Sequence, residues 1–499
     1  MNRRFLILPL LLACASAFAQ LPYDAYTLAS RDLNGTTRYV GMGGAMAAIG
    51  GDPSAAADNP AGLGLYRRSE MSLTLDYQFG NNDLGQRHNK FYCGQASWNF
   101  CFLQDRMKGV IANNLMLNYR RLKNFRRDYA MSIRDMAYSQ TDVMALKTTG
   151  LEEKYLQGNE AWYDSEVGWL SKMGYEAYLI NPDSTSLSGF EWLPANTGAV
   201  DGSISVSEAG ACDEFAVSWG MNISNQWYIG LEMGLRSLSY NKSTTYNESF
   251  DNGARYVMTA FSGANGVGFV NKIGVLYRPI SWLRFGAAFH APVPMTVTFR
   301  NYGSVQSMLS APAVPASVSQ TSIENVYSTS AYAQPLQVVA GTAFQLSTMG
   351  MLSLQYNYQQ GVKATEESGS GAAKSGLGIH SFRVGAECIL ANNWFINLGY
   401  ACNLSNSSPE TGEVARSAGG VDNLSLPYNS TRLDTERCFF TRAHYISAGV
   451  SFRHKYVIVG AAYQCRLMSE ALYFHELQPT AEPFRTTTHH LNFTIAWRR

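Results

Sequence analysis

Residues 351–360 read Met-Leu-Ser-Leu-Gln-Tyr-Asn-Tyr-Gln-Gln. In an extended chain successive side chains point to opposite faces, so Leu352, Leu354, Tyr356 and Tyr358 share one face and Ser353, Gln355, Asn357 and Gln359 the other. Such a segment needs an apolar surface on one side and a polar one on the other. A second sheet supplies the apolar surface in a soluble sandwich. Lipid supplies it in a membrane barrel, where the polar face lines the lumen. One strand is compatible with both, and its neighbours decide.

The same period-two pattern predicts strands near 71–79, 91–102, 110–121, 213–223, 226–240, 267–278 and 282–300. The second half gives 336–347, 350–360, 380–390, 393–403, 443–453, 456–467 and 487–497. Fourteen is an even number, as in bacterial single-chain barrels. Connections alternate between short and long. Short turns are expected around Asn225, Pro279-Ile280, Thr348-Met349, Asn392 and His454-Lys455, with a slightly longer one at Gln104 to Lys108; the longest link runs from about 122 to 212. Outer-membrane barrels keep short turns at the periplasm and long loops outside, whereas a soluble all-β fold has no reason to segregate loop length. The closing segment, with Leu491, Phe493, Ile495 and Trp497 alternating against Asn492, Thr494 and Ala496, resembles a barrel-assembly signal, although Arg498 and Arg499 follow its last aromatic. The expectation is an all-β fold, a transmembrane antiparallel β-barrel of about 14 strands spanning 71–499, with both mature termini periplasmic.

Composition fits that picture. Charged residues are 15% of the chain and the formal net charge is +1, while Tyr (29), Phe (24) and Gly (44) are abundant. The balanced charge gives no reason to expect a nucleic-acid partner. Residues 1–19 place Arg3 and Arg4 before a short apolar run that ends on Ala17-Phe18-Ala19, the pattern of a secretory signal peptide. Leu12-Ala13-Cys14 offers a weaker, lipoprotein-like alternative. The apolar run is too short to cross a bilayer, which takes about 20 residues. Beyond it stand Cys93, Cys101, Cys212, Cys388, Cys402, Cys438 and Cys465, odd in number and without metal-ligand spacing, so a disulfide framework is not expected.

Residues 20–70 are too rich in Gly and Ala, and too irregular, for a barrel strand. A barrel this wide has a lumen to fill, so the segment is expected to fold into it as a hatch. Within it Gly41-Met42-Gly43-Gly44, Gly51-Asp52-Pro53 and Asp58-Asn59-Pro60-Ala61-Gly62-Leu63 resemble the N-terminal hatch of the FadL/TodX (OMPP1) family of outer-membrane transport proteins. The resemblance covers about thirty residues, and fourteen strands match that family's barrel. It implies that Asn59, Pro60 and Ala61 hold the hatch in the barrel, and that a small hatch movement admits long-chain fatty acids or aromatic hydrocarbons, which leave passively through a side opening. It also implies partners: outer-membrane lipid, a hydrophobic small-molecule ligand and the barrel assembly machinery. A monomer without a cofactor is expected. The same fold resembles barrels that serve as binding or shuttle partners in type IX protein secretion, which is the alternative function; loops outside the membrane, above all 122–212, would carry it.

Glu232, Arg236, Lys272, Arg284, Arg383, Glu387 and Arg466 alternate onto the face opposite lipid. Buried charges pair or meet water, so these are expected to form a lumen network that seats the hatch, with carboxylate binding by an arginine as the functional alternative. The aromatic stretches 155–169, 190–193 and 256–261 are candidate hydrophobic capture surfaces, against the alternative of loop packing. The Gly41–Gly44 run lacks the preceding strand of a nucleotide loop, His489-His490 lacks the ligand set of a metal site, and no Gly-x-Ser-x-Gly elbow is present. No enzymatic activity is expected.

Overall fold

A computed structural model describes residues 27–82, 87–104, 109–164, 167–185, 190–195, 198–309, 318–346, 349–361, 378–390, 393–405 and 431–499. The signal-peptide reading, with Cys14, and the turn residues Thr348 and Asn392 lie outside the described residues.

The first described segment, the hatch, is irregular; its helical pieces include α1 (Thr37–Gly41), α2 (Pro53–Asp58) and a 3-10 turn over Pro60–Leu65. Each start is fixed locally. Thr36 caps α1 and Asp52 caps α2, whose first residue is Pro53, the position where a missing N–H costs nothing.

The strands follow: β1 (Glu70–Asn82), β2 (Arg87–Leu103), β3 (Val110–Asn124), β4 (Arg127–Met136), a small ribbon of β5 (Ile180–Pro182) and β6 (Trp192–Pro194), β7 (Val200–Ile223), β8 (Trp227–Phe250) and β9 (Arg255–Ile280). Next come β10 (Leu283–His290), β11 (Val293–Met308), β12 (Val318–Gln334), β13 (Gln337–Gln345), β14 (Gly350–Gln359), β15 (Ile379–Leu390), β16 (Trp394–Ser405), β17 (Arg437–His454), β18 (Val457–Tyr473) and β19 (Glu482–Arg498). All except β5 and β6 belong to one antiparallel sheet that closes on itself, with Met71 opposite Trp497 and Phe79 opposite His489. Three staves are broken, into β3/β4, β10/β11 and β12/β13, so seventeen strands build fourteen staves.

Two of the breaks have a visible cause. Pro292 lies between β10 and β11 and Pro335 between β12 and β13, and proline cannot donate to a ladder. The expected single strand 282–300 is therefore two strands that pair differently: β10 with β9 and β13, β11 with β9 and β12.

The outward face is an apolar belt. Leu235, Phe269, Phe285, Phe382, Leu398, Ile446 and Phe493, spread around the wall, are each between 46% and 59% exposed. Leaving such side chains in water costs about 1.5–3 kcal/mol each relative to burial, and a continuous ring of them needs lipid. Inward residues are polar, as in Asn99, Asn118, Ser218, Asn357, Asn397 and Thr494.

The expected long link 122–212 is only partly a loop. It contains β4 and the first half of β7, and β7, β8 and β9 run to 24, 24 and 26 residues, against about 9–11 for one crossing. Above the belt these strands surround a cap built on α3 (Gln140–Thr148) and α4 (Trp169–Glu176). Its core joins Met144, Trp162, Trp169, Met173 and Trp192 to Tyr246, Tyr256, Met258 and Val305 of the wall. Among the candidate capture aromatics, Trp162, Trp169, Trp192 and Tyr256 are therefore packed inside the cap, while Tyr155, Tyr163, Phe190 and Leu193 remain exposed.

Leu398→Arg places a cation in the belt and is expected to cost about 2–4 kcal/mol in a lipid bilayer. Urea unfolding in vesicles measures it; a neutral or stabilising effect would show that the belt faces water.

Candidate functional site

The hatch seats on glycines. A methyl on Gly230 would lie 2.1 Å from the Pro60 carbonyl carbon, on Gly274 2.0 Å from Asn59 Oδ1, and on Gly286 2.3 Å from Ala47 O. On Gly385 it would meet Met42 O at 2.4 Å, and on Gly399 Gly43 N at 2.0 Å. The lumen faces of β8, β10, β15 and β16 thus take hatch backbone against wall backbone, and that of β9 takes the Asn59 side chain, an approach that only glycine permits. Asn59 ties the contact: its Nδ2 donates to Ala47 O at 2.8 Å and Val275 O at 3.2 Å, and its Oδ1 accepts from Ala61 N. Leu63 packs with Ala56, Tyr66 and Met116, Gly62 touches Gly50, and Gly43 and Gly44 turn at φ +60 and +71. Gly41 lies against Gly449.

Charge completes the seat. Asp58 accepts from Arg120 at 3.2 Å, from Arg383 at 3.1 Å and from the Tyr39 hydroxyl. Arg38 forms a two-pronged pair with Glu387 at 2.6 and 2.8 Å. Arg383 also donates to Gly44 O, and Arg284 to Ile49 O. Lys272 bridges Glu214 and Glu232, both at 2.6 Å, and donates to Ala57 O, while Arg236 pairs with Glu214. Arg466 pairs with Asp32 at 2.6 Å. All seven charged residues singled out from sequence face the lumen. Of these, Lys272, Arg284, Arg383, Glu387 and Arg466 bond the hatch directly, and Glu232 and Arg236 reach it through Lys272 and Glu214.

One sector of the wall is not closed by its own ladder. β2 pairs with β3 only from Gln95–Arg120 to Leu103–Ala112. Beyond this, β2 continues against β1 as far as Arg87, and β3/β4 continues against β7. Among the described residues no ladder joins 87–94 to 121–136. The hatch supplies the partners instead: Asp32 N donates to Leu122 O at 2.8 Å, Asn34 Nδ2 to Arg121 O at 3.4 Å, and Asn124 N to the Asp32 carboxylate at 3.4 Å, with Lys123 Nζ 2.8 Å from the same carboxylate.

Between hatch and wall, beside this seam, is a cavity of about 120 Å³. Arg31, Arg120, Lys123, Arg126, Arg127, Lys272, Arg383 and Arg466 line it against three carboxylates, Asp32, Asp58 and Glu208. Leu33, Leu122, Phe125, Ile379, Phe440 and Met468 supply apolar wall. Arg31 is the exception among these cations. Its Nη1 donates to Gln337 Oε1, its Nε is buried without a partner, and among the described residues it has no carboxylate partner. Burial and the charge of Arg236 pull its pKa down to about 10, so it stays cationic at neutral pH.

Sequence reading missed Arg31, Asp32, Arg120, Lys123 and the glycine seat. The alternation Met116, Asn118, Arg120 put Arg120 on the lumen face and could have flagged it. Arg31 and Asp32 lie in irregular backbone and carry no periodic signal.

No family model matches this sequence, and no curated relative does. Among solved structures the chain is similar to a Pseudomonas aeruginosa FadL homologue, at 11% identity and TM-score 0.49, and to the Ralstonia pickettii toluene transporter TbuX, at 13% and 0.46. It is also similar to the P. putida toluene transporter TodX, at 10% and 0.47; each likeness covers 94% of this chain and 99% of the other.

Gly230→Ala forces the Pro60–Ala61 backbone off the wall and is expected to cost about 1–3 kcal/mol, read as faster amide exchange across 37–65 in a barrel of unchanged mobility. A pH effect follows from the carboxylates. Burial alone would raise both, but Arg120 and Arg383 hold Asp58, and Lys123 and Arg466 hold Asp32, at about 2, below the unfolded value near 3.9. Depressed carboxylates stabilise fully above the unfolded value and lose that contribution as pH falls through the folded one. Hatch protection is expected to stay constant from pH 8 to 5 and to fall between about pH 4 and 2; loss near pH 6.5 would point to histidine control instead.

Proposed function

We propose that this chain is an outer-membrane barrel for the passive passage of hydrophobic small molecules that carry an anionic head, with long-chain fatty acids as the class that fits best. The observation that carries the reading is the cavity beside the seam, with its excess of cations and an Arg31 that lacks a carboxylate partner. A guanidinium in that state is completed by a carboxylate in two-pronged geometry, and the apolar residues beside it receive the first carbons of a chain. A neutral alkylbenzene would leave Arg31 as it is, which favours the fatty acid over the aromatic hydrocarbon.

The passage runs through the seam. The cap core fills the space above the cavity, and glycine contacts hold the hatch against much of the wall below. Along the freed edge of β3, residues 32–34 of the hatch are held by hydrogen bonds and ion pairs, which can exchange with water or with a ligand. Displacing residues 31–34 uncovers the edge between β2 and β3 and connects the cavity with lipid. In this reading the long-loop end faces the exterior of a Gram-negative cell, the short turns and both mature termini face the periplasm, and the hatch acts as the gate.

Arg31→Gln keeps the hydrogen bond to Gln337 and removes the charge. A charge-assisted hydrogen bond contributes about 1.5–3 kcal/mol, so the purified variant is expected to bind a spin-labelled C16 fatty acid about tenfold more weakly or worse, with alkylbenzene binding unchanged. Fatty-acid uptake in a deletion strain should fall in parallel. Unchanged fatty-acid affinity, or an equal loss for alkylbenzene, would sink the proposal.

A further inference from the structure

Three outward pairs repeat around one arc of the barrel. Tyr356 Oη lies 2.8 Å from His380 Nδ1, Tyr400 Oη 2.8 Å from His444 Nδ1, and Tyr463 Oη 2.7 Å from His489 Nδ1. The geometry is the same each time: the histidine stands across from the residue two beyond the tyrosine, opposite Tyr358, Cys402 and Cys465 respectively. The pairs bridge β14 to β15, β16 to β17 and β18 to β19, so successive pairs lie two strands apart, about 10 Å. Side chains that only filled the belt would not need a polar partner at a fixed atom in three successive hairpins.

The hydrogen bond sets the chemistry. In neutral imidazole one nitrogen accepts and the other donates. A phenol donating to Nδ1 leaves Nε2 as the N–H, on an outward-facing ring held in place by its tyrosine. The height is also set. Cys402, opposite His444, is eight residues beyond Trp394, and His489 is eight residues before Trp497. At roughly 3.4 Å per residue and a tilt of about 40°, that is about 21 Å above the lower aromatic rim, near the top of a belt roughly 25 Å tall. Farther along the same outward faces come Arg442 and Arg485, both exposed. Among the described residues the outward positions of β14 to β19 carry no Asp or Glu.

We propose that this arc binds the phosphorylated headgroup of an outer-leaflet lipid, with His Nε2 donors at the level of the lipid backbone and Arg442 and Arg485 on the phosphates. Charge complementarity selects the occupant: a row of donors and cations, free of carboxylates, set where lipid headgroups lie. The other arc does not share it: eight residues above Trp227 and Ile223, outward β8 and β7 carry Leu235 and Phe215, and the next outward pair is Ser237 with Asp213, a carboxylate. The site therefore orients the barrel with one side toward bound lipid and the β2/β3 seam outside that arc. The inference rests on the reading that the long-loop end is exterior.

The full chain, purified in detergent, is loaded with lipid A bearing two phosphates or with the same lipid after phosphatase treatment, and retained lipid is counted by native mass spectrometry. The wild type is expected to retain the phosphorylated form at least tenfold better. The combined His380→Gln, His444→Gln and His489→Gln variant should lose most of that preference while keeping the heat-modifiable mobility of a folded barrel. If this variant does not fold, Arg442→Gln with Arg485→Gln carries the test and should lose the preference likewise. Tyr356→Phe, Tyr400→Phe and Tyr463→Phe together should weaken retention severalfold by freeing the rings. Equal retention of both lipids by the wild type, or undiminished preference in the folded variants, overturns the proposal. Orientation is tested apart from it, by antibody access on intact cells to a tag inserted after Tyr163. A tag hidden there overturns the exterior assignment, and the detergent result does not depend on it.

Discussion

Lipid offers no hydrogen bonds, and that constraint shapes the whole molecule. A strand edge left open in hydrocarbon costs several kcal/mol for each unpaired group, so the sheet must return from β19 to β1, and it does so over thirteen residue pairs from Glu70–Arg498 to Asn82–Thr486. The same constraint makes the interruption beyond Gln95–Arg120 informative. The freed edge of β3 is not left bare: hatch residues 32–34 bond to it where a strand would have stood. A segment outside the wall thus completes the wall, and its position decides whether the wall is closed.

The hatch is held by two different kinds of contact, and the difference decides where it can move. Around β8, β10, β15 and β16 backbone lies on backbone through glycine, at β9 the Asn59 side chain lies on Gly274, and a methyl group would already clash. Packing of this kind has no slack, because interiors are filled close to crystal density. Along the freed edge of β3 residues 32–34 are held by hydrogen bonds and ion pairs. Removing one partner of a buried pair costs about 3–5 kcal/mol because the other charge is stranded, yet exchanging one carboxylate for another strands nothing. Arg120 and Arg383 share Asp58, and Lys123 and Arg466 share Asp32, so the cations of this sector outnumber their fixed anions.

Much of the wall was legible because its signal is local. Alternation with period two identified every stave, and the seven lumen charges followed from parity alone. The lengths were not legible above the belt, where Ser205, Ser207, Ser237 and Ser243 replace apolar residues on the outward face and the alternation fades. Pro292 and Pro335 announced two of the breaks in the chain, whereas nothing at Phe125-Arg126 announced the third, which lies beside bonds to a hatch segment about ninety residues earlier. Arg31 was invisible for the same reason, since its partner Gln337 is 306 residues away. The hatch motif was readable because Asn59-Pro60 fixes a local cap and turn, but the glycines that receive it are scattered over five strands and look like ordinary small residues.

These features bear on how an anionic solute would open the seam. Lifting residues 32–34 from β3 breaks the Asp32–Leu122, Asn34–Arg121 and Asn124–Asp32 hydrogen bonds and separates Asp32 from Lys123 and Arg466. Neutral bonds contribute about 1 kcal/mol net and charge-assisted ones about 1.5–3, so water alone meets a cost of several kcal/mol, mostly in the two ion pairs. A carboxylate in the cavity takes over Lys123 and Arg466 as Asp32 leaves, and Arg31 moves with the same segment. The solute then offsets the larger part of the cost, and a neutral one of equal size does not. A ligand shifts an equilibrium only by its difference in affinity for the two states, and in the proposed passage that difference is located in the charges around Asp32.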